Sequence, residues 1–507
     1  MSNEYIKTPT SISFNSIVEK DYTLSSSQYM DLIMPNENFL FVKDFLRRDL
    51  QRKDLGVEVG SLNYIGQSTH YFVRTRALQA HSYLPEITGE TAVPIMPNSF
   101  VKMNLKQGDI LISKDSNIGE AVILDKDYPN FMLSGAIYGA IYRLPVRDKK
   151  YYLLAFIKHA IFREQLDFMV PKGATIRHAK TMFLDCKIPF PNENTENVIH
   201  FVEVLTQAII HKEKLIKERH KNILSAIETE LLANQKPNEF SFALPRINEL
   251  EEVGRIDTAR YSVEYKSYEH LIQNYKNGFF KFSHLGYTIN RGQNLQVSNI
   301  GESYYADYPI KGFYKLAVSS HFSEYSTVEK FNFLGNPSKL TKIKKGEIVF
   351  SARGAQFGRV VIFPEDIENT ITNIDSLVIK NEEENIERNI FIAMFLNNLR
   401  WNKHIYKIAI TGSGANSLTQ YQSDDINFPN FPETKQSAIA RRYHNAAVAY
   451  EADTFTLDNF LEKDNEYNEQ AGIYELDKTA KQLKEILNQT IDNIVNDKEV
   501  TITFAAL

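Results

Sequence analysis

The sequence predicts an α+β protein of two similar domains, separated by long antiparallel helices that form a coiled-coil spacer and give a pseudo-twofold plan. Three observations predict it. One pattern of strands, loops and helices occurs twice, roughly 240 residues apart. Two stretches carry long, narrow apolar seams at helical spacing. A chain of 507 residues is also long enough for more than one hydrophobic core.

The repeat begins with a hairpin. Gly108-Asp109-Ile110-Leu111-Ile112-Ser113 is followed by a polar loop and then Ile118-Gly119-Glu120-Ala121-Val122-Ile123-Leu124. Gly346-Glu347-Ile348-Val349-Phe350-Ser351 and Phe357-Gly358-Arg359-Val360-Val361-Ile362-Phe363 repeat it, with a loop one residue longer. Helical stretches are expected next, from Tyr151 to Phe168 and from Asn389 to Ile405. Small polar loops follow, Lys172-Gly173-Ala174-Thr175-Ile176-Arg177 and Thr411-Gly412-Ser413-Gly414-Ala415-Asn416-Ser417. Asp185 and Asp425 each lie eleven residues beyond, past Ala174 and Gly414, and each leads to a proline stop. The stops are Ile188-Pro189-Phe190-Pro191 and Phe428-Pro429-Asn430-Phe431-Pro432.

Each copy then runs into a charged helix. No Pro or Gly interrupts Thr195 to Asn234, and Val198, Val202, Leu205, Ile209, Ile216, Ile223 and Ile227 make one seam. Near 1.5 Å per residue the helix would measure roughly 60 Å and need a partner along its length. Leu476, Ala480, Leu483, Leu487, Ile491 and Ile494 offer a second seam for antiparallel pairing. Glu433 to Glu451 also reads as helix, whereas Asp453 to Gly472 reads as an acidic, irregular insertion or turn. Separate packing of each helix on its own domain is the plainer alternative.

Composition narrows the function. The chain is 43% hydrophobic and 24% charged, as ordinary globular proteins are. A single cysteine, Cys186, excludes an internal disulfide framework and suits a reducing cytoplasm. No basic segment followed by an apolar one opens the sequence, so no secretory signal is expected, and no apolar run is long enough to span a bilayer. The net charge of −5 argues against a strongly basic nucleic-acid binder. Local clusters run the other way, at Arg47, Arg48, Arg52 and Lys53 and at Lys339, Lys342, Lys344 and Lys345, although each also suits a plain solvated surface.

Catalytic signatures are missing. There is no Gly-rich loop ending in Gly-Lys-Ser/Thr, no His-Glu-x-x-His, no Cys-x-x-Cys and no EF-hand spacing. Gly412-Ser413-Gly414 lacks the third glycine and the strand–helix context of a dinucleotide site. The Asp/Asn-Pro-Pro-Tyr/Phe run of amino-methyltransferases and the Gly-x-Ser-x-Gly elbow do not occur. The pattern suits a binding or scaffold protein, not an enzyme, with no cofactor or metal of its own.

The repeated residues resemble the DNA-specificity (S) subunits of Type I restriction–modification systems. That family carries two target-recognition domains joined by helical regions, each domain with a Gly-Asp-Ile-Leu-apolar-Ser hairpin and an Ile-Pro-x-Pro-like stop. Arg255-Ile256-Asp257-Thr258-Ala259-Arg260-Tyr261 is similar to the Arg-x-Asp opening of such a domain; the first copy has only Tyr29-Met30-Asp31 to Pro35 in its place. A Glu-Gln pair usually follows the proline stop, and here only Glu433 and Gln436 approximate it. The resemblance implies recognition domains at 1–194 and 237–432, a spacer helix at 195–236 and a C-terminal helical region at 433–507.

It further implies a cytoplasmic, non-catalytic reader of a bipartite sequence in double-stranded DNA. Methyltransferase (M) subunits would dock on the helices and flip adenines out for methylation, and restriction/translocase (R) subunits could join for cleavage. S-adenosylmethionine, ATP and Mg would belong to those partners. A spacer of roughly 60 Å would limit the domain separation to about 17 base pairs. Base readout needs donors and acceptors on loops that reach a groove. The candidates are Lys114, Ser116 and Asn117 in the first hairpin loop, with Arg353, Gln356 and neighbouring Arg359 in the second. The later loops add Lys172, Thr175, Arg177, Ser413, Asn416, Ser417 and Gln420. Ser113 and Ser351 are expected to cap strand ends. A protein-binding adaptor and a nuclease with dispersed acidic and Lys residues remain as alternatives.

Overall fold

In each copy the glycine that opens the hairpin adopts a left-handed φ, +82° at Gly108 and +78° at Gly346, a region that side chains disfavour. The acid after it folds back on the turn. Asp109 accepts from the Lys106 N–H at 2.8 Å, and Glu347 accepts from the Lys344 N–H at 3.0 Å. The computed structural model describes residues 5–504 except 20–21, 23, 25–28, 47, 140–148, 170–179, 384 and 412–415. Contacts divide the chain into two compact units. Unit 1 comprises 1–215, 449–469 and 478–507, and unit 2 comprises 216–448 and 470–477.

Unit 1 holds β1 (Phe39–Phe41), β2 (Tyr71–Val73), β3 (Ala92–Pro94), β4 (Ile110–Ser113), β5 (Ala121–Ile123), β6 (Phe131–Leu133) and β7 (Ile137–Tyr138). Helices α1 (Lys150–Lys158) and α2 (Ala160–Met169), strand β8 (Lys187–Pro189) and helix α3 (Thr195–Ala233) follow. Strands β5, β4 and β7 form one antiparallel sheet. In a second sheet β2 pairs antiparallel with β3 and parallel with β6, and β8 pairs with β1.

Strand β4 is buried on both faces, which is why its apolar run does not alternate with polar residues. Leu111 packs with Val73, Leu133 and Val122 between the two sheets. Ile110 and Ile112 face the other way, into the core made with the helices. Each such side chain contributes about 1.5–3 kcal/mol when removed from water.

Unit 2 repeats the construction. It contains α4 (Val263–Gln273), β9 (Phe279–Phe280), β10 (Thr288–Arg291), β11 (Tyr304–Ala306), β12 (Tyr314–Ala317), β13 (Asn332–Gly335), β14 (Ile348–Ser351), β15 (Val360–Ile362), β16 (Thr370–Thr372) and β17 (Ser376–Lys380). After these come α5 (Ile386–Trp401), α6 (His404–Ile408), β18 (Phe428–Pro429) and α7 (Glu433–Tyr443). Strands β15, β14 and β17 pair as β5, β4 and β7 do, with β10 added at the edge. The counterpart of β2 is β12, antiparallel to β13 and parallel to β16, and β18 pairs with β9 as β8 does with β1.

The single helical stretches expected after each hairpin are broken helices. Between α1 and α2 the backbone of His159 is extended (φ −78°, ψ 153°), and between α5 and α6 Lys403 turns left-handed at φ +57°. The helix expected from Glu433 to Glu451 ends at Tyr443. That side chain is wholly buried and donates to the Ser326 carbonyl at 2.7 Å, and His444 turns away to pair with Glu475. The acidic segment expected to be irregular contains α8 (Phe460–Gln470), separated from α9 (Ile473–Val495) at Gly472. A Cβ there would lie 2.4 Å from the Tyr443 carbonyl oxygen, so the packing requires glycine.

Every seam residue of α3 and α9 is buried. Within unit 1, Val198, Val202, Leu205 and Ile209 share a core with Leu483, Leu487, Ile491 and Ile494. The two segments run antiparallel: Asn192 reaches Asp497 at 2.7 Å, and Glu213 meets Lys484 at 2.7 Å. The sequence expectation sets the spacer helices apart as regions of their own; in the structure the division into units falls inside α3 and inside α9.

Helix α8 is fixed to α3 by a buried ion pair. Lys212 lies 2.7 Å from Asp464, and neither side chain is exposed. The ammonium also donates to Asn468 at 2.6 Å and faces the rings of Tyr450 and Tyr467 at 4.9 and 5.0 Å. Tyr450 and Asn468 complete the hydrogen bonding of Asp464. Burial drives the Lys212 pKa down to about 8 against the opposing pull of Asp464. Removing one member leaves an uncompensated buried charge. Asp464→Asn is therefore expected to cost about 3–5 kcal/mol in urea unfolding of the full chain and to expose residues 449–459 to protease. Lys212→Met with Asp464→Leu should recover most of the loss.

Histidine burial adds a pH dependence. His159 in unit 1 and His220 in unit 2 are enclosed, and burial pushes each pKa down to about 4. The unfolded chain takes up these protons near pH 6.5 and the native chain does not, so stability falls as the pH drops from 6.5 towards 4. Each histidine should cost about 2 kcal/mol by pH 5. His220→Gln is expected to flatten that fall when urea unfolding is compared at pH 7 and pH 5.

Candidate nucleic-acid interface

Each hairpin loop starts at a buried serine. Ser113 Oγ donates to the Asp115 carbonyl at 2.7 Å and Ser351 Oγ to the Arg353 carbonyl at 3.5 Å. Both hydroxyls stabilise the loop internally. Each loop closes at a left-handed glycine, Gly119 or Gly358, whose N–H returns to that serine's carbonyl at 2.9 Å.

Two further segments join this loop in the same way in both units, one bonded to the loop and the other bonded to that segment. The Gly56 N–H reaches Ile137 O at 2.9 Å, and the Gly292 N–H reaches Ser376 O at 3.0 Å. The contact admits no side chain: a Cβ would lie 2.0 Å from the Ser134 carbonyl oxygen at Gly56 and 2.1 Å from that of Asn373 at Gly292. The Lys114 N–H bonds Ala136 O, and the Ala352 N–H bonds Asp375 O, both at 2.9 Å. Three segments distant in sequence thus share one polar edge in each unit. In unit 2 a fourth joins them, because the Leu418 N–H reaches Ala352 O at 3.0 Å and Ser417 bridges to Arg353.

The structure thereby brings together the hairpin loop and the later polar loop of the second copy. Arg353 and Gln420 are exposed, while Gln356, Asn416 and Ser417 are half-buried. Gln420 Nε2 donates to Ile289 O at 2.8 Å. In the first copy Ser116 is exposed at φ +63°, and the half-buried Asn117 donates to Leu78 O at 3.4 Å. Lys114 is tied to Asp115 within its own loop at 2.6 Å. Lys172, Thr175, Arg177 and Ser413 lie outside the described residues.

Arg359 is placed differently from the loop-tip residues. Its guanidinium is held inside unit 2, 2.6 Å from Glu324 and bonded to Phe322 O, while Arg400 pairs with the same carboxylate. Burial raises the Glu324 pKa, but the two arginines outweigh it and hold the carboxyl below its usual range. The matching position in unit 1 is Glu120, which pairs with Lys158 and Arg163. One internal ion-pair position therefore carries opposite charges in the two copies. The Arg255 motif is internal as well: it grips Asp257 through two bonds of 2.7 and 2.8 Å and the Ala409 carbonyl at 3.0 Å.

Arg291, Gln293, Asn373 and Asp375 join the unit 2 edge although sequence reasoning did not select them. The available signal was the paired glycines, in Leu55-Gly56-Val57-Glu58 and Arg291-Gly292-Gln293-Asn294. Unit 2 also holds a cleft of about 750 Å³ lined by Arg260, Tyr265, Lys266, Glu269 and Asn427. Its Glu269 is engaged by His404 and Asn427, both at 2.7 Å. Among the described residues no group of His, Cys, Asp and Glu could hold a metal ion, and no helix is long and apolar enough to cross a membrane.

The chain is similar in structure to Type I S subunits. The S subunit of the Type-I restriction-modification system from M. genitalium matches 92% of this chain and 96% of its own, at 12% identity and a TM-score of 0.36. The HsdS subunit from Thermoanaerobacter tengcongensis matches 88% and 96%, at 11% identity and a TM-score of 0.25. A chain from a structure of complex assembly and conformational transition in the type I R-M system matches 92% and 100%, at 10% identity and a TM-score of 0.26. No protein-family model matches the chain, and no curated protein matches its sequence.

The glycine contacts give a direct test of the edge. Gly56→Ala and Gly292→Ala should each destabilise the full chain by about 1–3 kcal/mol in urea unfolding, because the carbonyl opposite must move. Gly66→Ala, where a Cβ meets nothing within 4 Å, should leave stability unchanged.

Proposed function

We propose that this chain is the DNA-specificity subunit of a Type I restriction–modification complex, the role that its repeated motifs imply. The duplicated polar edge carries the reading. One backbone frame, fixed by glycine–carbonyl contacts, occurs in both units with different side chains at the loop tips. A reader of a two-part sequence needs such an arrangement: equal scaffolds for two half-sites and unequal donors and acceptors for their bases.

In this reading each unit carries a target-recognition domain, 1–194 or 237–432, applied to double-stranded DNA, and the chain itself performs no chemistry. Methyltransferase subunits would take α3 and α9 as their docking elements and supply S-adenosylmethionine chemistry, with restriction subunits added for cleavage. The antiparallel packing in unit 1 and the 39-residue length of α3 suit a spacer that sets half-site separation. The acidic net charge suits an assembly in which partners contribute many of the phosphate contacts.

Expressed with the methyltransferase subunits of a Type I system, the chain should direct adenine methylation to a single bipartite sequence, read by methylome sequencing with and without this chain. Methylation that is unchanged when the chain is removed, or a purified complex that binds random duplexes without preference, would overturn the proposal.

A further inference from the structure

The unit 2 edge places two arginines on one ledge. Arg291 ends β10, and its guanidinium approaches the Ile374 and Leu418 carbonyls, each at 3.4 Å. Leu418 is bonded through its own N–H to Ala352, the residue before Arg353. Arg353 is exposed at the loop tip beside Ser417. Burial and then the Arg353 charge hold the Arg291 pKa below its ordinary value, with Asp375 opposing them. Arg291, half-buried with long bonds to neutral carbonyls, thus lies near the exposed Arg353.

A second observation lies under the same ledge. Ser376 is wholly buried, yet among the described residues its Oγ has no hydrogen-bond partner, and the buried Asn373 Oδ1 likewise has none. Buried polar atoms are ordinarily satisfied, so each exception calls for a physical reason. Unit 1 offers a contrast at matched positions. Leu55 stands in place of Arg291, and Asp115, neutralised by Lys114, stands in place of Arg353. The frame therefore does not demand arginine at either place.

We infer that Arg291 and Arg353 form the specificity-determining pair of unit 2 and that their target is the O6/N7 edge of guanine in the major groove. This rests on the DNA-specificity reading above and deepens it. Guanine presents two acceptors that match the parallel donors of a guanidinium, and Arg to guanine is the commonest specific base contact. Arg353, exposed at the tip, makes the bidentate contact. Arg291 is a positioning residue whose charge keeps Arg353 turned outward. Because unit 1 lacks both side chains, the two half-sites are unequal, and the required guanine belongs to one of them. A phosphate would satisfy the same two cations, so the test separates the two sources.

The test is selection of randomised duplexes by the full-length complex, followed by sequencing, for wild type, Arg353→Lys, Arg353→Ala and Arg291→Ala. Wild type should require guanine at one position of one half-site. Arg353→Lys and Arg353→Ala should each lower that preference by tenfold or more with the other half-site intact, and Arg291→Ala should weaken the preference at the same position. A uniform loss of affinity with the selected sequence unchanged would identify a phosphate contact and overturn the inference. An unchanged selection in the Arg353 variants would overturn it as well, leaving the specificity reading standing. If wild type selects no sequence, the specificity reading itself fails and takes this inference with it.

Discussion

The contact between a glycine and the carbonyl facing it governs the polar edges. Gly56 lies against Ser134 and Gly292 against Asn373 at a spacing that no Cβ tolerates. That approach lets backbone groups from three chain segments bond one another directly. The loops are thus held largely by main-chain hydrogen bonds, with Asn117 and Gln420 adding side-chain bonds to Leu78 and Ile289. Scaffold and reading surface are separated in the chemistry, and the charge difference between Asp115 and Arg353 shows how far the tips diverge on the same frame.

A different kind of constraint secures the helices of unit 1. Apolar seams fix which face of α3 meets α9, but an apolar seam tolerates sliding by a turn. The Lys212–Asp464 pair, closed by Tyr450, Tyr467 and Asn468, has a single satisfied arrangement. A buried pair of this kind adds little net stability over well-packed apolar residues, and its best-attested use is to fix register. Here it fixes where α8 sits along α3.

Much of this was legible in the sequence, and the parts that were not have physical causes. The hairpins, the seams of α3 and α9 and the proline-ended strands follow from periodicity and from Gly and Pro placement, which are local signals. Helix α8 was missed because its inward face carries Asp464 and Asn468, so its pattern reads as polar surface until the buried lysine is known. The breaks at His159 and Lys403 follow from packing that no local preference encodes. At the candidate interface Arg353 was visible as a loop residue and Arg291 was not, because it ends a strand that only a distant glycine contact brings to the loop. Arg359 shows the converse: beside a loop in sequence, it is drawn inward by Glu324.

The composition of unit 1 also bears on biosynthesis. Its first 215 residues share a core with Phe460, Leu487 and Phe504, and Phe504 stacks on Phe460 at 4.4 Å and meets Phe201 at 5.3 Å. On the ribosome, those early residues emerge well before the segment that completes their core. At about 5–20 residues per second the remaining stretch takes on the order of 15–60 s to translate. During that interval the apolar face of α3 has no α9 to cover it.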